Sequence, residues 1–133
     1  MRKEVLDWLN AAEDDLNTAR LLFENNVFYA SAFYSQQAAE KALKSAEINV
    51  LKTSSQSHNL IELARKVGAD EKTVSAARKL SPHYIISRYP RAASALPADL
   101  YSKVDAQELL TNAKEVFEWC EKSSVNFKDS SKE

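Results

Sequence analysis

The sequence predicts an all-α fold: an antiparallel up-and-down bundle of three long helices with one or two short ones between them. Three observations carry this. Only one Gly and three Pro occur in 133 residues, too few turn formers for a sandwich, a barrel or a Rossmann-type sheet. Apolar residues recur at alternating spacings of three and four, the period of a helix with one buried face. Asn, Asp and Ser stand where helix caps are needed, just before the apolar runs.

The first helix spans residues 3–24, with Val5, Leu9, Ala12, Leu16, Ala19 and Phe23 on one face. Asn25-Asn26 breaks the pattern, and Asn26 is suited to cap the next helix. Residues 28–49 form this second long helix, whose alanines (Ala38, Ala39, Ala42 and Ala46 among them) allow close packing, with Phe28, Phe33 and Leu43 as larger fillers. A loop occupies 51–57. Asn59 and Glu62 have capping-box spacing and open a third helix, which ends at Gly68 with Arg65 and Lys66 in its last turn. Asp70 caps a fourth helix over 71–80. Pro82, Pro90 and Pro97 mark an irregular stretch. Ser102 and Asp105 form a second capping-box pair, opening a last helix to about Lys122 with Val104, Leu109, Ala113, Val116 and Cys120 as its apolar face. The expected organisation is one helical domain over 1–122 and a polar, frayed tail over 123–133.

Composition excludes several classes of function. Gly68 alone can write neither a P-loop nor a GxGxxG. A lone Cys120 makes no internal disulfide, and two histidines with one cysteine far apart give no metal-ligand spacing. No cofactor is implied. No apolar run is long enough to span a membrane, and a charged N-terminus does not suit a signal peptide, so a cytoplasmic location is expected. The net charge of −1 is unevenly spread: residues 72–103 hold Lys72, Arg78, Lys79, Arg88, Arg91 and Lys103 against Asp99 alone. Such a segment attracts an anionic partner, unless its cations pair with acids on neighbouring helices.

Three clusters could carry chemistry. Gln36-Gln37-Ala38-Ala39-Glu40-Lys41-Ala42-Leu43-Lys44 places Gln36, Glu40 and Lys44 in one i, i+4, i+8 row, which reads most simply as an exposed, salt-bridged helix face. In Ser57-His58-Asn59-Leu60, His58 stands at a helix start, where the dipole disfavours a positive charge, and a neutral structural role is expected. In His83-Tyr84-Ile85-Ile86-Ser87-Arg88-Tyr89-Pro90-Arg91, guanidinium groups suit phosphate and aromatic rings suit bases. The alternative is that Tyr84 and Tyr89 fill the core while Arg88 ties down a helix C-terminus.

In this order, after an N-terminal helix with Trp8 and Ala11-Glu13-Asp14-Leu16, the clusters resemble the HEPN family, the higher-eukaryote and prokaryote nucleotide-binding domains. The likeness extends over residues 5 to 122. It implies a helical bundle that is frequently a homodimer and often works with a minimal nucleotidyltransferase in a two-component, toxin–antitoxin-like system. Ribonuclease members of the family carry an Arg and, after four to six intervening residues, a His. Counted from Arg88 the positions are Ala93, Ser94 and Ala95, and His83 precedes Arg88; counted from Arg78, His83 does stand after four residues. Read from Arg88, the expectation is binding of a nucleotide or RNA-like anion rather than cleavage. Arg88 and Arg91 would meet phosphate, Tyr84 and Tyr89 would stack, His83 would hydrogen-bond, and Lys41 and Lys44 would assist. The alternatives are a metal-independent ribonuclease using His83 and Arg88, and a pure interaction module acting through surface residues such as Phe28 or Trp119.

Overall fold

The computed structural model describes the backbone of residues 2–90 and 95–132, and side chains as far as residue 124. Three long helices form its frame: α1 (Arg2–Glu24), α2 (Phe28–Leu51) and α7 (Lys103–Lys132). Four short ones lie between α2 and α7: α3 (Leu60–Lys66), α4 (Glu71–Leu80), α5 (His83–Ile86) and α6 (Pro97–Leu100). No strand occurs among the described residues. Short helices thus exceed the one or two expected, because the proline-marked stretch contains two single turns, α5 and α6.

α2 is the central element, packing on α1, α7, α3 and α5. Its fully buried alanines Ala38, Ala39 and Ala42 let the neighbouring backbones approach closely. Two serines fix its antiparallel register on α1. The Ser31 hydroxyl donates to the Ala19 carbonyl and the Ser45 hydroxyl to the Val5 carbonyl, both at 2.8 Å. The core is completed by Leu60 and Leu63 of α3, Val74, Ala77 and Leu80 of α4, and Leu109, Ala113, Val116 and Phe117 of α7.

The helix ends obey local chemistry, with some departures from expectation. Asn26 does not cap α2. It closes α1 in the left-handed region (φ 62), where the Val27 N–H reaches the Leu22 carbonyl and the Asn26 N–H the Phe23 carbonyl. Asn tolerates that conformation better than most residues. Gly68 (φ 79) closes α3 by the same device, with Ala69 N–H bonded to the Ala64 carbonyl. Asn59 does cap α3, accepting from the N–H groups of Ile61 and Glu62, but its own N–H goes to the Ser57 hydroxyl rather than to Glu62. Ser102 and Asp105 form the full reciprocal box, and Asp70 caps α4 through Thr73.

Val104 is 67% exposed and does not belong to the apolar face of α7. It lies in the first turn, ahead of where the helix meets α2 and α4, and the buried face starts at Ala106. Past Lys122 the backbone stays helical to Lys132, since no Gly or Pro stops it. Phe28 and Trp119 are only partly exposed and rest against the core.

Candidate functional site

The three polar clusters meet on one side of α2. Its row of Gln36, Glu40 and Lys44 is not an exposed face: all three are buried, Glu40 to 5% exposure. A central helix packed against several others has little wet surface, so its polar stripe too lies under a neighbour. Here the neighbours are the 52–59 segment and α5.

Glu40 is the hub. Its Oε1 lies 2.9 Å from His58 Nδ1 and accepts from Gln36 Nε2 at 3.2 Å. Its Oε2 pairs with the Lys44 ammonium at 3.4 Å. Gln37 extends the chain by donating to Gln36 Oε1 at 2.8 Å. Because a carboxylate only accepts, Nδ1 of His58 carries the hydrogen in this contact. The other ring nitrogen, Nε2, is then left as the one that can accept a proton, on a side chain 48% exposed. Lys44 also sits 5.7 Å from the ring centroid of Trp8, which brings α1 into the network.

The segment bearing His58 has no regular secondary structure, and two carboxylates of α2 hold it down. Glu40 takes His58 at one end. Glu47, which is fully buried, accepts from the Ser55 N–H at 2.9 Å and pairs with Lys66 at 3.0 Å at the other. Burial pushes the Glu47 carboxyl upward, but the Ser55 hydrogen bond and the Lys66 ammonium outweigh it and keep the group below its usual range.

The His58 ring stacks on Tyr84 with centroids 4.2 Å apart and planes 14° from parallel. One turn later, the Arg88 guanidinium lies 5.1 Å from the Tyr84 centroid, 5.2 Å from Phe33 and 5.2 Å from Tyr89. Each distance is within cation–π range. Arg88 is exposed and makes no ion pair among the described residues. Aromatic faces leave the in-plane N–H donors of a guanidinium free, and those donors grip phosphate or carboxylate oxygens.

The other expected residues fall elsewhere. Lys41 is committed to Asp15 of α1 at 2.7 Å. Lys72 pairs with Glu115 at 2.9 Å, so part of the basic segment is neutralised within the bundle. Arg91 lies outside the described residues. His83 turns away from His58 and Arg88: its Nδ1 is 2.6 Å from the Tyr101 hydroxyl, against α7. Burial holds the His83 imidazole below its ordinary pKa, partly opposed by Asp105, and pushes Tyr101 up to about 12. Two members of the site are given other roles by the sequence: Phe33 reads only as a filler, and His58 only as a neutral structural histidine. The Gln36–Glu40 row gives no distinguishing signal, because an exposed helix face carries the same pattern.

No group of His, Cys, Asp and Glu among the described residues is arranged to hold a metal ion. Among the described residues no helix is long and apolar enough to cross a membrane.

Known proteins share this architecture. The family model described as HEPN domain matches residues 5–123. A curated relative, "Putative toxin MJ1304" from Methanocaldococcus jannaschii, is 31% identical over 126 residues, 84% of this chain and 82% of that protein. Among solved structures, TT1696 from Thermus thermophilus superposes with a TM-score of 0.83 at 30% identity, covering 90% of this chain and 98% of that one. ST0689, described as an archaeal HEPN homologue, gives 0.79 at 28% identity over 91% and 98%.

Proposed function

The chain belongs to the HEPN domain family, and on that premise we propose that it binds a nucleotide or RNA-like anion at the Arg88 group. The observation that carries this is the Arg88 guanidinium itself, flanked by Phe33, Tyr84 and Tyr89 and without an acidic partner among the described residues. Arg88 takes phosphate oxygens, and the half-exposed Tyr89 offers a face for a base. His58 replaces His83 as the hydrogen-bonding residue of the group. Lys41 and Lys44, spent on Asp15 and Glu40, act by positioning α2 rather than by touching ligand. Arg91 stays in the proposal as a second phosphate contact by its closeness in sequence. The name of the Methanocaldococcus relative supports a toxin-like role in a two-component system. A homodimer working in the cytoplasm with a minimal nucleotidyltransferase partner completes the reading.

A second reading is favoured by one arrangement, the Glu40-bound His58 and Arg88 both packed against the Tyr84 ring. It is metal-independent RNA cleavage. The 2′-hydroxyl would lose its proton to His58 Nε2 and attack phosphorus, giving a 2′,3′-cyclic phosphate and breaking the bond to the 5′-oxygen of the next nucleotide, which would take a proton from water and leave as a hydroxyl. Arg88 would balance the charge gathering on the phosphoryl oxygens.

One set of measurements tests both. Titration calorimetry with ATP and with a short RNA is expected to show binding that falls by roughly ten-fold or more in Arg88→Ala. Arg88→Lys is not expected to restore it, because an ammonium lacks the planar fork and the stacking. No heat from the wild type with either ligand would remove the binding proposal. Incubating the same RNA in EDTA separates the second reading: cleavage that stops in His58→Ala and persists in His83→Ala supports it, and the reverse pattern would sink it.

A further inference from the structure

α5 is a single turn with two working faces. Tyr84 and Arg88 turn toward α2 and His58, while His83 and Ile86 turn the other way, into a cleft between α4, α6 and α7. That cleft has a volume of about 380 Å³, within the range of small-molecule sites. Its floor is apolar, made by Ile86, Leu100 and Leu109. One wall is the His83–Tyr101 pair, joined by the 2.6 Å hydrogen bond and by an edge-on ring contact with centroids 5.5 Å apart. The residues of this wall are already ordered, so a ligand would meet a preformed surface.

The rim of the cleft carries charges of both signs. Lys79 of α4 and Glu108 of α7 both line the cleft, carry opposite charge and are exposed. Neither side chain makes an ion pair or hydrogen bond among the described residues. They stand on opposite helices, with the apolar floor between them. Elsewhere on the same helices a Lys–Glu pair does close, Lys72 to Glu115 at 2.9 Å. Between Lys79 and Glu108, which line the same cleft, no such pair closes. Asp105 adds a second carboxylate beside Glu108, fixed in place by its capping bonds to Ser102.

We propose that the cleft between α4, α5 and α7 binds a small zwitterion with an apolar body, of the free-amino-acid type. The ammonium goes to Glu108 and Asp105, the carboxylate to Lys79, and the side chain onto Ile86, Leu100 and Leu109. An anion alone would face two carboxylates for one ammonium. An amine alone would leave Lys79 unanswered. A purely apolar ligand would desolvate the rim charges without pairing them. This site is independent of the Arg88 group, since it uses the opposite face of α5.

The test uses the intact protein and three probes that differ only in charge: L-phenylalanine, phenethylamine and 3-phenylpropanoate. Titration monitored by backbone amide NMR is expected to give saturable shifts at Ile86, Leu100, Tyr101 and Leu109 with L-phenylalanine. Binding of the two singly charged probes is expected to be weaker by roughly ten-fold. Glu108→Lys and Lys79→Glu, both at exposed positions, should each weaken L-phenylalanine binding to a similar extent while leaving the melting temperature close to wild type. Leu100→Trp, which fills the floor from the edge, should abolish it. Absence of saturable shifts with L-phenylalanine at millimolar concentration would overturn the proposal. So would equal affinity for the three probes, or wild-type affinity in Glu108→Lys. ATP or RNA binding at Arg88 is read in separate titrations, so failure at either site is recognised by itself.

Discussion

His83 and Tyr101 share one hydrogen bond in a place where neither is easily ionised. Burial is the larger influence on His83 and lowers its pKa from the ordinary 6.5, against a smaller upward pull from Asp105. A folded-state pKa below the unfolded one means that the unfolded chain binds more protons as pH falls. The stabilisation from neutral His83 is therefore complete above about pH 6.5 and is lost as pH drops through the folded-state value. Replacing His83 by Asn removes that titration. Thermal melts at pH 7.5 and 5.5 should then show a smaller acid-induced loss of melting temperature in the variant than in the wild type. An equal or larger loss would mean that His83 is not the group responsible. Sequence alone made His83 the natural companion of Arg88, because the two are neighbours in the chain. What separates them is that α5 is one helical turn continued by a turn at residues 87–88, so that positions 83 and 86 face one way and 84 and 88 the other. The His58–Tyr84 stack spans 26 positions and the Arg88–Phe33 contact 55, and no local periodicity reports on contacts of that kind.

At the level of elements, the 52–59 segment shows how a stretch without secondary structure is made definite. Its anchors are side chains of α2, chiefly Glu47, and the pair Glu47–Lys66 is unequal: Glu47 is fully buried, while the Lys66 side chain is 39% exposed. Removing one partner strands the other, and the cost depends on which is stranded. Lys66→Met leaves a buried carboxylate with only the Ser55 groups, whereas Glu47→Gln leaves an ammonium that can turn to water. Urea unfolding should accordingly show Lys66→Met as the more damaging change, by about 1–3 kcal/mol near neutral pH, the cost of an unsatisfied buried polar group. The pH dependence has a definite sign. In the wild type the Glu47 pKa is lowered from 4.5, so the pair stabilises above that pH and its contribution is lost on acidification. The gap between wild type and Lys66→Met should thus close as pH falls below the carboxylate range. A gap constant from pH 7 to pH 3 would count against Glu47 as the anchor. Much at this scale was legible: the Asp70 cap, the Ser102–Asp105 box and the Gly68 stop are written in adjacent residues. The polar row of α2 was not, because the same Gln, Glu and Lys pattern describes an exposed face and a buried network equally well.

At the scale of the whole molecule, the bundle depends on α2 being buried along most of its length, its polar row included, and on α1 and α7 bringing one apolar face each. That division is why the fold class could be read from spacing alone while burial on α2 could not. A two-sided helix has a periodic signal, and a central one has none. The same division bears on where the domain ends. α7 runs to Lys132, but its buried residues run from Ala106 through Leu109, Ala113, Val116 and Phe117 to Cys120. The Cys120 thiol marks the depth reached there, since full burial pushes its pKa well above the ordinary range. If the working unit is residues 1–122, then α7 past that point continues beyond a core already closed at Cys120. A chain ended after Ser124 should keep the melting temperature of the full chain within a few degrees, the shift that about 1 kcal/mol produces in a domain of this size. It should also keep its affinity for ATP or RNA, because Arg88, Tyr84 and His58 are set by α2 and α5. Ending the chain after Asn112 instead removes Val116, Phe117 and Cys120, and with them several buried side chains worth roughly 2–5 kcal/mol each. That chain is expected not to fold. Should the Ser124 chain melt far below the full one, residues 125–133 would have to be counted as part of the bundle rather than as an extension of its last helix.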